Sequence, residues 1–150
     1  MSMIAPSLQS APMPLQIGPR LQAFFDEPTP IVLGTRRRDG SVQMNPLWYE
    51  YRDGLVWLNG GPKRDWLRHI QRDDGRATLI VVDPKNMFRW AQIQFRLVDT
   101  QQEGADDHIE RLSQRYLGGP YRNPKIDRLI VRVEPLRITG HESGQPWDVS

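Results

Sequence analysis

Two Arg-Asp-Gly tripeptides, Arg38-Asp39-Gly40 and Arg52-Asp53-Gly54, interrupt runs rich in apolar and β-branched residues. Asp-Gly tolerates the positive φ angles of tight hairpin turns, so this spacing predicts short antiparallel strands over 29–37, 41–51 and 55–59, arranged as a three-strand meander. Further strand signals cover 76–82, 89–100 and 128–138, which brings the number of strands to six. Within 89–100, Ala91, Ile93, Phe95 and Leu97 share one parity and form the core face; Trp90, Gln92, Gln94 and Arg96 take the other.

Helical periodicity is confined to three stretches. Residues 20–26 place Leu21, Phe24 and Phe25 on one side and stop before Pro28. Residues 62–72 open with Pro62 and carry Trp66 and Ile70 four residues apart. Residues 104–117 repeat Ala105, Ile109, Leu112 and Tyr116 at helical spacing and end at Gly118-Gly119-Pro120. A parallel sheet would alternate strand and helix regularly. Here the order predicts a mainly β chain, a small barrel with flanking helices.

With 150 residues the chain has room for one domain, read as 20–150, behind a proline-bearing leader over 1–19 that acts as a flexible arm or lies over a partner subunit. The absence of cysteine excludes disulfide scaffolds, thiol catalysis and thiolate metal sites, and fits a cytoplasmic setting. The longest apolar runs, such as Leu79-Ile80-Val81-Val82, are far short of the about 20 residues a membrane helix needs. A formal charge of +2 demands no polyanionic partner, so neither nucleic acid nor membrane is expected. The run Arg36-Arg37-Arg38 reads as a solvated face beside a turn.

Conventional hydrolytic or metal chemistry has no constellation to carry it. His69, His108 and His141 are far apart, lack metal-ligand spacing and read as surface or structural residues. Nucleophile elbow, phosphate loop and dinucleotide glycine patterns are all missing. Three segments remain, each with two readings. Asn59-Gly60-Gly61-Pro62-Lys63-Arg64 is either an ordinary strand–turn–helix with solvated charges or a cradle where backbone amides and two cations meet an anion. Asn86-Met87-Phe88-Arg89-Trp90 either starts a strand whose aromatics fill the core or offers Arg89 to a phosphate or planar ring. Gly40 to Trp48 carries Pro46 inside a strand, which marks an edge; that edge is either bare or offers backbone groups to a flat heterocycle.

Taken in order, these residues resemble the pyridoxamine 5′-phosphate oxidase-like split-barrel proteins, and within them the flavin/deazaflavin oxidoreductases. The carrying residues are Asp39-Gly40-Ser41-Val42-Gln43, Asn45-Pro46-Leu47-Trp48, Gly60-Gly61-Pro62-Lys63-Arg64 with Trp66 to Ile70, Val81-Val82-Asp83-Pro84, Arg89-Trp90, and Gly104 through Gly118. The resemblance implies a six-stranded antiparallel split barrel of the FMN-binding type, usually a homodimer with two sites at the subunit interface. It implies coenzyme F-420, or alternatively FMN, as cofactor and a hydride transfer to a small conjugated organic acceptor. The phosphate falls to Asn59, Gly60, Lys63 and Arg64, the ring to Met44, Asn45, Pro46 and Leu47, with Arg89 and Trp90 as further cofactor-binding candidates.

No catalytic residue is assigned; solvent, Asn45 or Tyr49 could supply a proton, and Trp48, Tyr49 and Trp90 could line an apolar acceptor slot. Strand 89–100 and Trp48 or Trp57 are the expected dimer surfaces. Two other readings stand beside this one: a non-catalytic cofactor binder or carrier on the same fold, and a small barrel binding single-stranded nucleic acid through arginines and aromatics.

Overall fold

A computed structural model describes residues 14–150. Most of the expected leader, residues 1–13, lies outside the described residues. Residues 14–18 run beside the C-terminal segment: Gln16 and Ser150 exchange two backbone hydrogen bonds of 2.9 Å, and Ile17 bridges Val149.

The elements follow in the order α1 (Pro19–Asp26), β1 (Ile31–Arg36), β2 (Val42–Leu47), β3 (Glu50–Arg52), β4 (Leu55–Gly60), α2 (Asp65–Arg72), β5 (Arg76–Asp83), β6 (Asn86–Gln101), α3 (Ala105–Leu117), β7 (Leu129–Glu142) and β8 (Gln145–Pro146). All strand pairings are antiparallel, in the order β2-β1-β5-β6-β7-β4-β3, with β8 on β7. The strand count is eight where six were expected. The excess comes from the three-residue β3, split off the expected strand 41–51, and the two-residue β8. Among the described residues no helix is long and apolar enough to cross a membrane, and no group of His, Asp and Glu is placed to hold a metal.

The expected meander does not form. Asp53 and Gly54 both adopt positive φ, 54° and 75°, and close the β3–β4 hairpin as the sequence demands. β1 and β2 form the other hairpin. β2 and β3, however, lie at opposite ends of the strand order. Turn chemistry fixes each hairpin but not whether neighbouring hairpins pair, and here Tyr49 leaves the sheet for the core. Its side chain is fully buried and its hydroxyl donates to the Phe25 carbonyl at 3.2 Å. The Tyr116 hydroxyl accepts from the Tyr49 amide at 3.2 Å and reaches the Thr29 carbonyl at 3.0 Å, so α3 holds the crossing in place.

The core face predicted for β6 is the observed one: Ala91, Ile93 and Phe95 are buried. They join Leu21, Phe24 and Phe25 of α1 and Trp66, Leu67 and Ile70 of α2 in one apolar cluster. Helix α2 starts at Asp65, not at Pro62, so Gly61 to Arg64 form a bent, irregular approach to it. Its first carboxylate, Asp65, pairs with Arg68. Pro46 stands opposite Val32 on β2, which has a neighbour on one side only; a residue without an amide donor is tolerated there.

Candidate functional site

β4 carries Asn59 and Gly60 to the sheet's end, and β7 runs beside it with Gly60 opposite Leu129. That register brings Arg128 alongside Gly61, and the closeness is measurable. A Cβ on Gly61 would stand 2.9 Å from Arg128 Nη1, and one on Gly60 would stand 3.0 Å from both Arg64 Cδ and Trp66. A side chain at either glycine would make these two arginines shift from the turn.

Arg64 donates to the carbonyls of Gly61 and Asp127, the latter at 3.0 Å. Arg128 Nε donates to Asn59 Oδ1 at 2.7 Å. Arg89, Arg111 and Arg132 each pair with a carboxylate; among the described residues Arg64 and Arg128 have no such partner. Burial lowers the Arg128 pKa from its ordinary value, and the neighbouring charge of Arg64 pushes the same way. Two guanidiniums held together by backbone and amide oxygens, with exposed Lys63 beside them, form a site that an anion would neutralise.

Arg128 also lines a cleft of about 410 Å3 with Pro46, Leu47, Trp48, Asn59 and Tyr121. Segments far apart in sequence, the edge strand (Pro46, Leu47), Asn59 at the end of β4 and Arg128, therefore meet at one place. Trp48 lies flat on Tyr116, ring centroids 5.3 Å apart and planes 5° from parallel, and Ile109 and Leu112 supply an apolar wall. On β2 the side chains alternate: Val42, Met44 and Pro46 are exposed, whereas Gln43, Asn45 and Leu47 are half-buried. Met44 consequently faces a different, larger cleft of about 690 Å3 on the outer side of the sheet, with Val32, Gly34, Thr78 and Ile80. Asn45 accepts from Gln43 at 2.8 Å.

Arg89 and Trp90 are not brought to this cleft. The Arg89 guanidinium reaches Glu27 at 2.6 Å, Asp83 at 3.1 Å and Glu142 at 2.8 Å, and lies 4.6 Å from the Phe24 ring centre. It ties the end of α1 to β5, β6 and β7, and its charge is already matched by three carboxylates. Trp90 packs edge-on against His141, and its carbonyl accepts from Trp147 Nε1 at 2.7 Å. The expected slot of Trp48, Tyr49 and Trp90 likewise does not assemble. Tyr49 belongs to the core, where burial pushes its hydroxyl well above the usual phenol range, so it is no proton donor to a surface ligand.

Behind the anion site stands a network that sequence reasoning missed. Asn59 Nδ2 donates to the Ala105 carbonyl at 2.9 Å and lies 3.0 Å from His108 Nδ1. His108 is 1% exposed, with Nε2 3.2 Å from Glu50 Oε1. Burial alone would raise the Glu50 carboxyl, but the close approach of His108 and the hydrogen bonds from Arg111 outweigh it and hold the group at about 2. Arg128 precedes its strand with no motif around it. Only the β4–β7 register, between residues about seventy positions apart, places it.

The family model for pyridoxamine 5′-phosphate oxidase matches residues 17–142, most of the chain. The chain belongs to the pyridoxamine 5′-phosphate oxidase family. Its fold is the split barrel of that family. Among solved structures, an F420 reductase is 26% identical over 79% of this chain and 94% of its own, with a TM-score of 0.70. A conserved hypothetical protein from Mycobacterium tuberculosis is 20% identical over 93% and 89% of the two chains, TM-score 0.61. An FAD-binding protein from Mesorhizobium loti is 12% identical over 84% and 96%, TM-score 0.54, a likeness of fold alone. No curated protein matches the sequence.

Proposed function

We propose that this chain is an oxidoreductase that binds a phosphate-bearing deazaflavin or flavin, coenzyme F-420 or FMN, and serves hydride transfer to a small conjugated organic acceptor. The observation that carries the reading is the pair Arg64 and Arg128. They converge on a Gly-Gly turn without pairing to a carboxylate, and Arg128 lines the cleft with Pro46, Leu47 and Trp48. The likeness to an F420 reductase favours coenzyme F-420 over FMN.

The donor set suits the group. Arg64, Arg128 and Lys63 supply the cations for a phosphate, with Gly60 and Gly61 letting the backbone come close. The strand edge Met44 to Leu47 offers backbone groups and the aromatic pair Trp48–Tyr116 a flat wall for the ring. When bound, such a cofactor supplies the hydride chemistry itself. The chain's residues hold the phosphate, orient the ring against β2 and keep water from the apolar wall of Leu47, Ile109 and Leu112. No side chain of the cleft is assigned as proton donor.

A homodimer completes this reading. Val42 and Met44, 56% and 59% exposed, border the larger apolar cleft on the outer face of the sheet, a surface that a second copy would cover. Sedimentation should show a dimer at micromolar concentration; a monomer with unchanged cofactor affinity removes that part of the proposal.

Parallel titration of cofactor-free protein with F-420 and FMN, followed by fluorescence, tests the core of it. One cofactor should bind, and the loaded protein should turn over conjugated carbonyls or quinones. Binding without turnover across such acceptors would make it a carrier. Salt-sensitive retention of single-stranded oligonucleotides with no cofactor uptake would overturn the reading.

A further inference from the structure

The network behind Arg128 admits a single arrangement of protons, and elementary donor chemistry shows which. Arg128 Nε can only donate, so the Asn59 atom 2.7 Å away must be its oxygen. The Ala105 carbonyl can only accept, so the Asn59 atom 2.9 Å from it must be the nitrogen. Turning the amide over would set N–H against N–H at one end and oxygen against oxygen at the other. The remaining Asn59 hydrogen therefore points to His108 Nδ1 at 3.0 Å, and Nδ1 must carry a lone pair. The ring hydrogen resides on Nε2, which faces Glu50 at 3.2 Å but off the line of a well-formed hydrogen bond.

His108 has little freedom to do otherwise. It is 1% exposed, its ring centre lies 5.7 Å from that of Trp57, and Glu50 is itself gripped by Arg111. A buried histidine with a fixed tautomer thus sits two hydrogen bonds behind a guanidinium that has no carboxylate partner. We propose that His108 is a positioning residue for the anion site: it fixes the Asn59 amide and through it aims the Arg128 guanidinium at the bound phosphate. The inference rests on the cofactor reading above. With Nε held by Asn59 and Nη1 in a long 3.5 Å contact to the Tyr121 hydroxyl, Arg128 still has outer N–H groups to offer the oxygens of a phosphate, the donors by which arginine recognises such a group.

The conservative variant separates positioning from mere packing. His108→Asn keeps an acceptor near the place of Nδ1, whereas His108→Leu fills similar space and offers none. Losing one oriented hydrogen bond of about 1 kcal/mol corresponds to roughly fivefold in affinity. Whichever of F-420 and FMN the wild type binds, and inorganic phosphate, should therefore bind roughly fivefold more weakly to His108→Leu and near wild-type strength to His108→Asn.

Nitrogen-15 spectra of the unliganded wild-type protein should show His108 Nδ1 unprotonated and Nε2 protonated. The Arg128 Nε–H should be protected from solvent exchange in wild type and His108→Asn and unprotected in His108→Leu. A proton on Nδ1 at neutral pH overturns the proposal whatever the cofactor result, and needs no variant to fold. Weakened FMN binding in Arg128→Ala, with affinity and exchange unchanged in His108→Leu, overturns the positioning role and leaves the cofactor site standing. A wild-type protein that binds neither F-420, FMN nor phosphate overturns both.

Discussion

Glu50 is the carboxylate on which acid stability should turn. It is only 15% exposed, it meets Arg111 through both oxygens, and its pKa falls from an ordinary 4.5 to about 2. A folded-state pKa below the unfolded one adds stability that is complete above the unfolded value and disappears as pH falls through the folded one. The window is therefore about pH 4.5 down to about 2. At about 1.4 kcal/mol per pH decade, this displacement corresponds to about 3 kcal/mol.

Glu50→Gln keeps the shape and removes the charge, so it imitates the protonated side chain at every pH. The variant should be less stable than wild type by about 3 kcal/mol at pH 7, or roughly 6–12 °C in Tm for a domain of this size. Urea unfolding of both proteins between pH 7 and pH 2.5 measures the difference directly. Other low-pKa carboxylates, such as Asp99 hydrogen-bonded by Arg132 and Glu110 by Lys125, titrate in both proteins and cancel. The two stabilities should draw together as the medium becomes acidic. A gap under about 1 kcal/mol at pH 7, or one that persists unchanged to pH 2.5, would refute the assignment.

At the anion site, Arg64→Ala and Arg128→Ala should each weaken the bound cofactor by about 1.5–3 kcal/mol, roughly tenfold to just over a hundredfold. Arg36→Ala, whose side chain pairs with Asp73 near the surface, should have little effect; equal small losses in all three titrations would dismiss the Gly-Gly turn as the phosphate cradle. Arg89→Ala leaves Glu27 and Asp83 without their cation and Glu142 with Arg20 alone, and should cost about 2–3 kcal/mol in urea unfolding while cofactor affinity stays within about twofold. A stable Arg89→Ala that has lost its cofactor would make Arg89 the phosphate ligand and Arg128 the structural cation. Gly140→Ala should abolish cooperative melting: φ is 119° and the added Cβ would stand 2.3 Å from the Trp90 carbonyl oxygen, backbone that cannot swing aside. A cooperative melt near wild type would show that β6 and β7 can separate more easily than their pairing implies.

Periodicity reveals what depends on neighbours in sequence. The alternation in Ala91, Ile93 and Phe95, the helical spacing of Ala105, Ile109 and Leu112, and the Asp53-Gly54 turn are all visible locally, because each reflects one element's own geometry. Pro46 marks an edge strand for the same reason. Long-range pairing is not visible. Nothing near Arg128 says that Leu129 will lie opposite Gly60, so the second guanidinium of the anion site is hidden in the sequence while Arg89, set beside aromatics, looks the better candidate. His108 and Glu50 are equally hidden, because a buried histidine and an exposed one have the same letter. What betrays them is the Asn59 amide between His108 and Arg128, a contact that exists only once α3 has docked.

The crossing at Tyr49 has a consequence for the order of events in folding. β1 and β2 are neighbours in sequence and can zip up as soon as residue 47 is available, as can the short β3–β4 hairpin, but β4 finds its second partner only in β7, about seventy residues downstream. Closing so large a loop gives no contacts until its entropy has been surrendered, which makes the β4–β7 seam the natural late and slow step. Until then the free edge of β4, Val56 and Leu58 included, is open to other chains. Pulsed hydrogen exchange during refolding should protect the amides of β1 and β2 before those of β4. Because Asn59 and Gly60 lie on that late seam and Pro46 and Leu47 on the early hairpin, the two halves of the site are built at different times, and the site exists only when the barrel shuts.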